Sequence, residues 1–347
     1  LPILALAALF MVTAVAPVSA RSDIALGIST PGPRDPAGVQ NAVTDFEDSI
    51  GGQGQRPASW SIWSQWGSRG DSPGCQSGEG CSFPTAGVQK LHQMEITPVI
   101  WWEPVDPERP NSPRYSSWER VLAGKHDSYI REWAQDARAA GEASPGGDRK
   151  ILLRFAHEAN GFWFAWGMGR FTNTPKTFKR AWRRVWRIFQ EEGALPYVDF
   201  LWSVSKQRCP SCNPFAQVYP GDRYVDYAGV TAFNWGPWHG RKWQSLMAIM
   251  SDPIRDIQRV TPRRIPIVIA ETASHWKGGD KAGWLTAGYQ RIYDRFPRVK
   301  AIMYLNTDQP HEESGHPDWR LVKPGDLSAL DAYREIAEKP RFQGAIG

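Results

Sequence analysis

The sequence predicts an α/β fold of the (β/α)8 TIM barrel type, on three observations. Eight short runs rich in β-branched and apolar residues recur along the 347 residues, helical patterns lie between several of them, and no charge-rich linker divides the chain. Strands that alternate with helices pair in parallel through crossover connections, and eight such units close on themselves. A doubly wound open sheet is the competing architecture. No G-x-G-x-x-G turn follows the first strand, so the dinucleotide-binding version of that sheet lacks its phosphate-cradling glycines.

In order, the expected strands are 24–30, 58–67, 96–105, 150–158, 198–206, 225–235, 265–274 and 299–308. Each is an apolar run of strand length. Helices are expected at 127–141, where Ile130, Trp133, Ala134 and Ala137 share one face, and at 176–192, 244–260, 281–296 and 327–338. In the second of these, Phe178, Ala181, Trp182, Val185, Trp186 and Phe189 recur at helical spacing, with Lys179, Arg180, Arg183, Arg184 and Arg187 opposite. That basic stripe reads as a solvated helix face, and with a formal charge of only +5 no nucleic-acid partner is expected.

Residues 1–20 carry no charge and end in Val18-Ser19-Ala20, the small-residue pattern of a secretory cleavage site. The expectation is a signal segment at 1–20 and a single catalytic domain at 21–347, exported, monomeric, and free of the membrane once the signal is removed. A membrane anchor is the alternative for the same run. Export favours paired cysteines. The close spacings suggest Cys75–Cys81 and Cys209–Cys212, each closing a short loop; a redox or zinc role for the second pair lacks a further ligand pair or a thioredoxin-like context.

Three motifs lead nowhere. GDSPG (70–74) matches a nucleophile elbow, but Pro73 and a cysteine loop follow the serine where a helix should begin. His157-Glu158 opens like a zinc-protease helix, yet Gly161 occupies the second histidine position. His311 and His316 lie in a segment with Pro310, Gly315 and Pro317, which is loop composition. What remains is carboxylates. Ile151-Leu152-Leu153 leads to His157-Glu158, and Ile267-Val268-Ile269-Ala270 leads to Glu271. Burying a carboxylate at the end of an apolar strand costs several kcal/mol unless it is paired. In a barrel the ends of strands four and seven face one another, so Glu158 and Glu271 can meet around one bond. The alternative is an ion pair of each with Arg154 or another strand-end base.

Two facing carboxyls are the equipment of glycoside hydrolysis. Sugars stack on flat rings, and Trp101, Trp102, Trp163, Trp166, Trp235 and Trp238 fall at or beyond predicted strand ends; Trp133, Trp182 and Trp186 read as core. RFAHEANGFWFAW (154–166), YPGDRYVDYAGVTAFNWG (219–236), IVIAETAS (267–274) and DWR (318–320) together resemble glycoside hydrolase family 26, over roughly 24–335. That resemblance implies a retaining (β/α)8 endo-hydrolase of β-linked polysaccharide. In it Glu158 is the acid/base and Glu271 the nucleophile, and His157, Asn160 and Trp163 line the subsite at the cleaved bond. It needs no cofactor or metal. Trp102, Phe233, Trp235 and Tyr304 are further candidates for substrate contact. The family resemblance puts β-1,4-mannan first as substrate, with mixed-linkage β-glucan next and β-1,3-xylan behind. The chain departs from the pattern at Thr231 and Phe233, where Asp and Tyr are common, and at Tyr304, where Trp is frequent. A non-catalytic sugar-binding protein on a decayed barrel is the reading from another class.

Overall fold

A computed structural model of the chain describes residues 23–31, 33–51, 56–67, 81–206, 212–307 and 317–346. Its centre is a closed barrel of eight parallel strands, paired in chain order. These are β1 Ala25–Ser29, β2 Ser59–Gln65, β3 Thr97–Glu103, β4 Ile151–Phe155, β5 Val198–Ser205, β6 Tyr227–Asn234, β7 Ile267–Ser274 and β8 Val299–Leu305. Closure is made by β8 against β1, in register from Ala25↔Ala301 to Ser29↔Leu305. All eight predicted strands are present, each slightly shorter than expected.

The predicted helices form at Asp127–Glu142, Pro175–Glu191, Leu246–Val260, Lys281–Arg295 and Ser328–Ala337. Pro175–Glu191 starts where local chemistry dictates. Thr174 caps it in a reciprocal capping box with Thr177, and Pro175 stands at the first position, where a missing N–H costs nothing. Its Trp182 and Trp186 are buried, as is Trp133 on the preceding helix. Two full helices went unpredicted, Pro36–Ser49 and Thr85–Gln93. The first had a legible start, Asp35 capping Gly38 ahead of Pro36, and buries Val39, Val43 and Phe46 along one stripe.

Successive strand residues point alternately into the barrel and out to the helices. Val99, Leu152, Leu201, Val268, Ala301 and Met303 fill the lumen as one apolar cluster, distinct from the larger layer between barrel and helices. This plug forms the floor on which the site stands. The described residues contain no helix long and apolar enough to cross a membrane. The 1–20 segment, the GDSPG motif, His311, His316, Cys75 and Cys209 lie outside the described residues. Neither expected cysteine bridge can therefore be followed to both of its ends.

Candidate active site

The site is built two residues above the apolar floor, at the C-terminal ends of the strands. On β4 the residue above Leu152 is Arg154, which is 0% exposed. Its guanidinium lies 4.0 Å from the centroid of the Trp101 ring. Nε donates to Ser203 Oγ at 3.0 Å, Nη2 to Thr231 Oγ1 at 2.6 Å and Nη1 to Glu271 Oε2 at 3.4 Å. The ion pair weighed as an alternative for Glu271 therefore exists. It does not remove the carboxylate from the lumen but holds it there.

Beyond β4 the backbone turns sharply while keeping its sheet contacts. Ala156 N–H donates to the Trp102 carbonyl at 3.0 Å and Glu158 N–H to the Ser203 carbonyl at 2.9 Å. Ala156 and Glu158 adopt φ of 45° and 53°, a left-handed conformation costly for residues with a Cβ. The strain turns Glu158 toward the indole of Trp163, whose Nε1 donates to Glu158 Oε2 at 2.8 Å. Gly161 makes room for this, because a Cβ there would overlap the Trp163 ring. That steric need accounts for the glycine in His-Glu-x-x-Gly-x-Trp.

Glu271 reaches the lumen by a different device. Val268 and Ala270 face inward, so simple alternation would turn Glu271 out to the helices. The β6–β7 register instead runs Val230↔Ile269 and then Thr231↔Glu271. The extra residue makes a bulge that puts Glu271 beside inward-facing Thr231.

A third carboxylate joins them. Pro98, Val99, Ile100, Trp101 and Trp102 lead to Glu103, the same pattern of an apolar strand ending in an acid, and one that the sequence reading passed over. Glu103 is 8% exposed, and its Oε1 lies 4.0 Å from Nε2 of His157. Burial pushes Glu103 up to about 7, against a hydrogen bond from Gln65 and the charge of Arg154. Burial likewise raises Glu271 to about 8, opposed by Arg154 and reinforced by the charges of Glu158 and Glu103. Glu158 is raised by burial against Arg154, Trp163 and Thr231. Three buried carboxylates facing one guanidinium share protons as a set. His157 is held neutral by burial and by Arg154, with its ring packed among Trp101, Phe164 and Trp166.

Three predicted contact residues are displaced from that role. Trp102 is 0% exposed on the outer face of β3, stacked on Trp133 at 4.3 Å, because its neighbour Trp101 takes the inward position. Tyr304 also faces outward, fully buried, and its hydroxyl donates to the Trp319 carbonyl at 2.8 Å. Asn160 is spent on the end of β5: its amide nitrogen donates to the Ser205 carbonyl at 3.0 Å and its oxygen accepts from Ser205 N–H at 2.9 Å. Trp166 is buried too, donating to the His157 carbonyl.

Phe233 and Trp235 stay half-buried, in an aromatic group with Trp238 and Trp319. Phe233 stacks on Trp319 at 5.1 Å, and Trp235 on Trp238 at 5.0 Å. Lys281 anchors this group from behind, its Nζ donating to the carbonyls of Arg320 at 2.6 Å and Trp319 at 3.3 Å. Phe162, 47% exposed, stands on the segment that follows Glu158. Among the described residues, no group of three or more His, Cys, Asp or Glu side chains is arranged to hold a metal ion.

Residues 121–281 match the model of glycosyl hydrolase family 26. The chain is 34% identical over 242 residues to Endoglucanase H of Acetivibrio thermocellus, a match covering 68% of this chain and 24% of that protein. It is 27% identical over 105 residues to the mannan endo-1,4-β-mannosidase of Bacillus subtilis, covering 28% of each. The chain thus spans about a quarter of the length of these two relatives. In fold it resembles a family 26 β-mannanase from Bacteroides ovatus, with a TM-score of 0.61 at 15% identity over 94% of this chain and 91% of that one.

Proposed function

Because the chain belongs to glycosyl hydrolase family 26, we propose that it is an endo-acting hydrolase of β-linked polysaccharide that retains anomeric configuration. The observation that carries this reading is a pair of buried carboxylates at the ends of β7 and β4, Glu271 held by Arg154 and Glu158 by Trp163. Glu271 attacks the anomeric carbon while Glu158 protonates the departing oxygen. Glu158 then takes a proton from water, which hydrolyses the glycosyl-enzyme.

Each group has the surroundings its role needs. The low-dielectric pocket raises the proton affinity of Glu158, as a group that must give a proton to the leaving oxygen requires. Arg154 contacts Glu271 and favours its ionised form, against the burial that raises it. The half-buried Trp163, Phe233 and Trp235 rings offer surfaces to the sugars on either side.

Motif likeness alone puts β-1,4-mannan first, but one observation favours β-glucan: the relative with the longer and higher-identity match is named an endoglucanase. Export through residues 1–20, the two cysteine bridges and a monomeric state complete the proposal. Reducing-end release from mixed-linkage β-glucan, β-mannan and β-1,3-xylan tests it. Cleavage of glucan above mannan is expected, whereas binding without release from all three would point to a sugar-binding protein.

A further inference from the structure

We propose that Glu103 is a substrate-binding residue, gripping together with His157 one hydroxyl of a bound sugar. The inference rests on the hydrolase reading but concerns a group that the two-carboxylate mechanism does not use. Glu103 Oε1 and His157 Nε2 lie 4.0 Å apart, too far for a mutual hydrogen bond, yet both can reach one hydroxyl oxygen lying about 2.8 Å from each. A neutral imidazole donates from one nitrogen, a carboxylate accepts, and a hydroxyl does both.

The surroundings are those of a polar binding site. Trp63 and Trp101 stack at 4.6 Å on the inward faces of β2 and β3, and Trp101 continues onto the His157 ring at 5.0 Å. Nε1 of Trp63, Nε1 of Trp101 and Nδ1 of His157 are buried without a protein partner. Buried polar atoms left unpaired are costly unless a ligand or water completes them. Gln65, hydrogen-bonded to Glu103, fixes the carboxyl from the β2 side. Apolar rings beside a few convergent polar atoms are what a hexose requires.

The test is a double-mutant cycle between protein and sugar. Calorimetric affinities are measured for gluco- and manno-configured tetrasaccharides, each intact and as a set of monodeoxy analogues, on a Glu271→Ala parent and on the same parent carrying Glu103→Ala. Removing the gripped hydroxyl should weaken binding to the parent about tenfold and cost the Glu103→Ala form, where His157 alone still holds it, clearly less. Glu103→Met, which keeps the side-chain length, serves in the same cycle if the alanine form fails to fold. Equal losses in parent and variant for every analogue would overturn the assignment. A wild-type chain that neither binds nor cleaves glucan or mannan would instead sink the hydrolase reading beneath it.

Discussion

Val99, Leu152, Leu201 and Val268 fill the lower lumen, whereas one strand repeat higher β3, β4 and β5 present Trp101, Arg154 and Ser203, with Glu103 a further repeat up β3 and Glu271 brought in by the bulge of β7. The lower half obeys the ordinary rule for a core: it is apolar, and β3, β4 and β5 alternate there between lumen and helix layer. The upper half breaks each part of it, with ionisable groups buried, left-handed backbone at Ala156 and Glu158, and an extra residue in β7. The difference shows how the two halves depend on each other. A dry floor excludes water from beneath the carboxylates and so raises their affinity for protons, while the strain and buried charge above lower stability that the floor must supply.

Substitutions in the two halves should therefore fail in different ways. Glu271→Ala should lower kcat/KM on polysaccharide by on the order of 10⁴-fold without abolishing the fold. An active Glu271→Ala enzyme would break the comparison outright. Leu152→Ala should do the reverse, costing roughly 2–5 kcal/mol of stability in denaturant unfolding with kcat/KM little changed at temperatures where the variant stays folded.

Trp163→Phe removes the donor to Glu158, and a hydrogen bond to a charged group is worth about 1.5–3 kcal/mol. Because that donor lowers the proton affinity of Glu158, its loss should move the alkaline limb of the kcat/KM profile upward. A downward shift would show that Trp163 does not govern the acid.

The smallest effect concerns Phe233. Glu271 must be ionised to attack, so its elevation by burial to about 8 places the acid limb of kcat/KM near neutrality rather than in the usual carboxylate range. Phe233→Tyr, if its hydroxyl reaches Glu271, supplies a donor and should shift that limb to lower pH. An unmoved limb would mean that this ring, stacked on Trp319, serves only as a sugar platform.

How much of this could be read in advance follows the same division. The strands, and the placement of Glu158 and Glu271 at strand ends, were legible because an apolar run ending in an acid is a local pattern. Glu103 carried that pattern too and was overlooked. The bulge under Glu271 was not legible, since it exists only in the pairing of β7 with β6. Nor could the sequence say which of Trp101 and Trp102 faces the lumen: adjacent residues on a strand point oppositely, and only the register chooses. Asn160 and Tyr304 look like ligand contacts beside their motifs, but both are consumed by backbone groups of neighbouring segments.

The assignment of acid and nucleophile is tested most directly by comparing Glu158→Ala with Glu271→Ala on an aryl glycoside whose leaving group needs no proton. Burst and steady-state release are measured beside release from polysaccharide. The account predicts that Glu158→Ala keeps a rapid first release of the aryl group while losing polysaccharide cleavage, and that Glu271→Ala loses both. Equal loss of aryl release in the two variants, or a burst from Glu271→Ala, would contradict it.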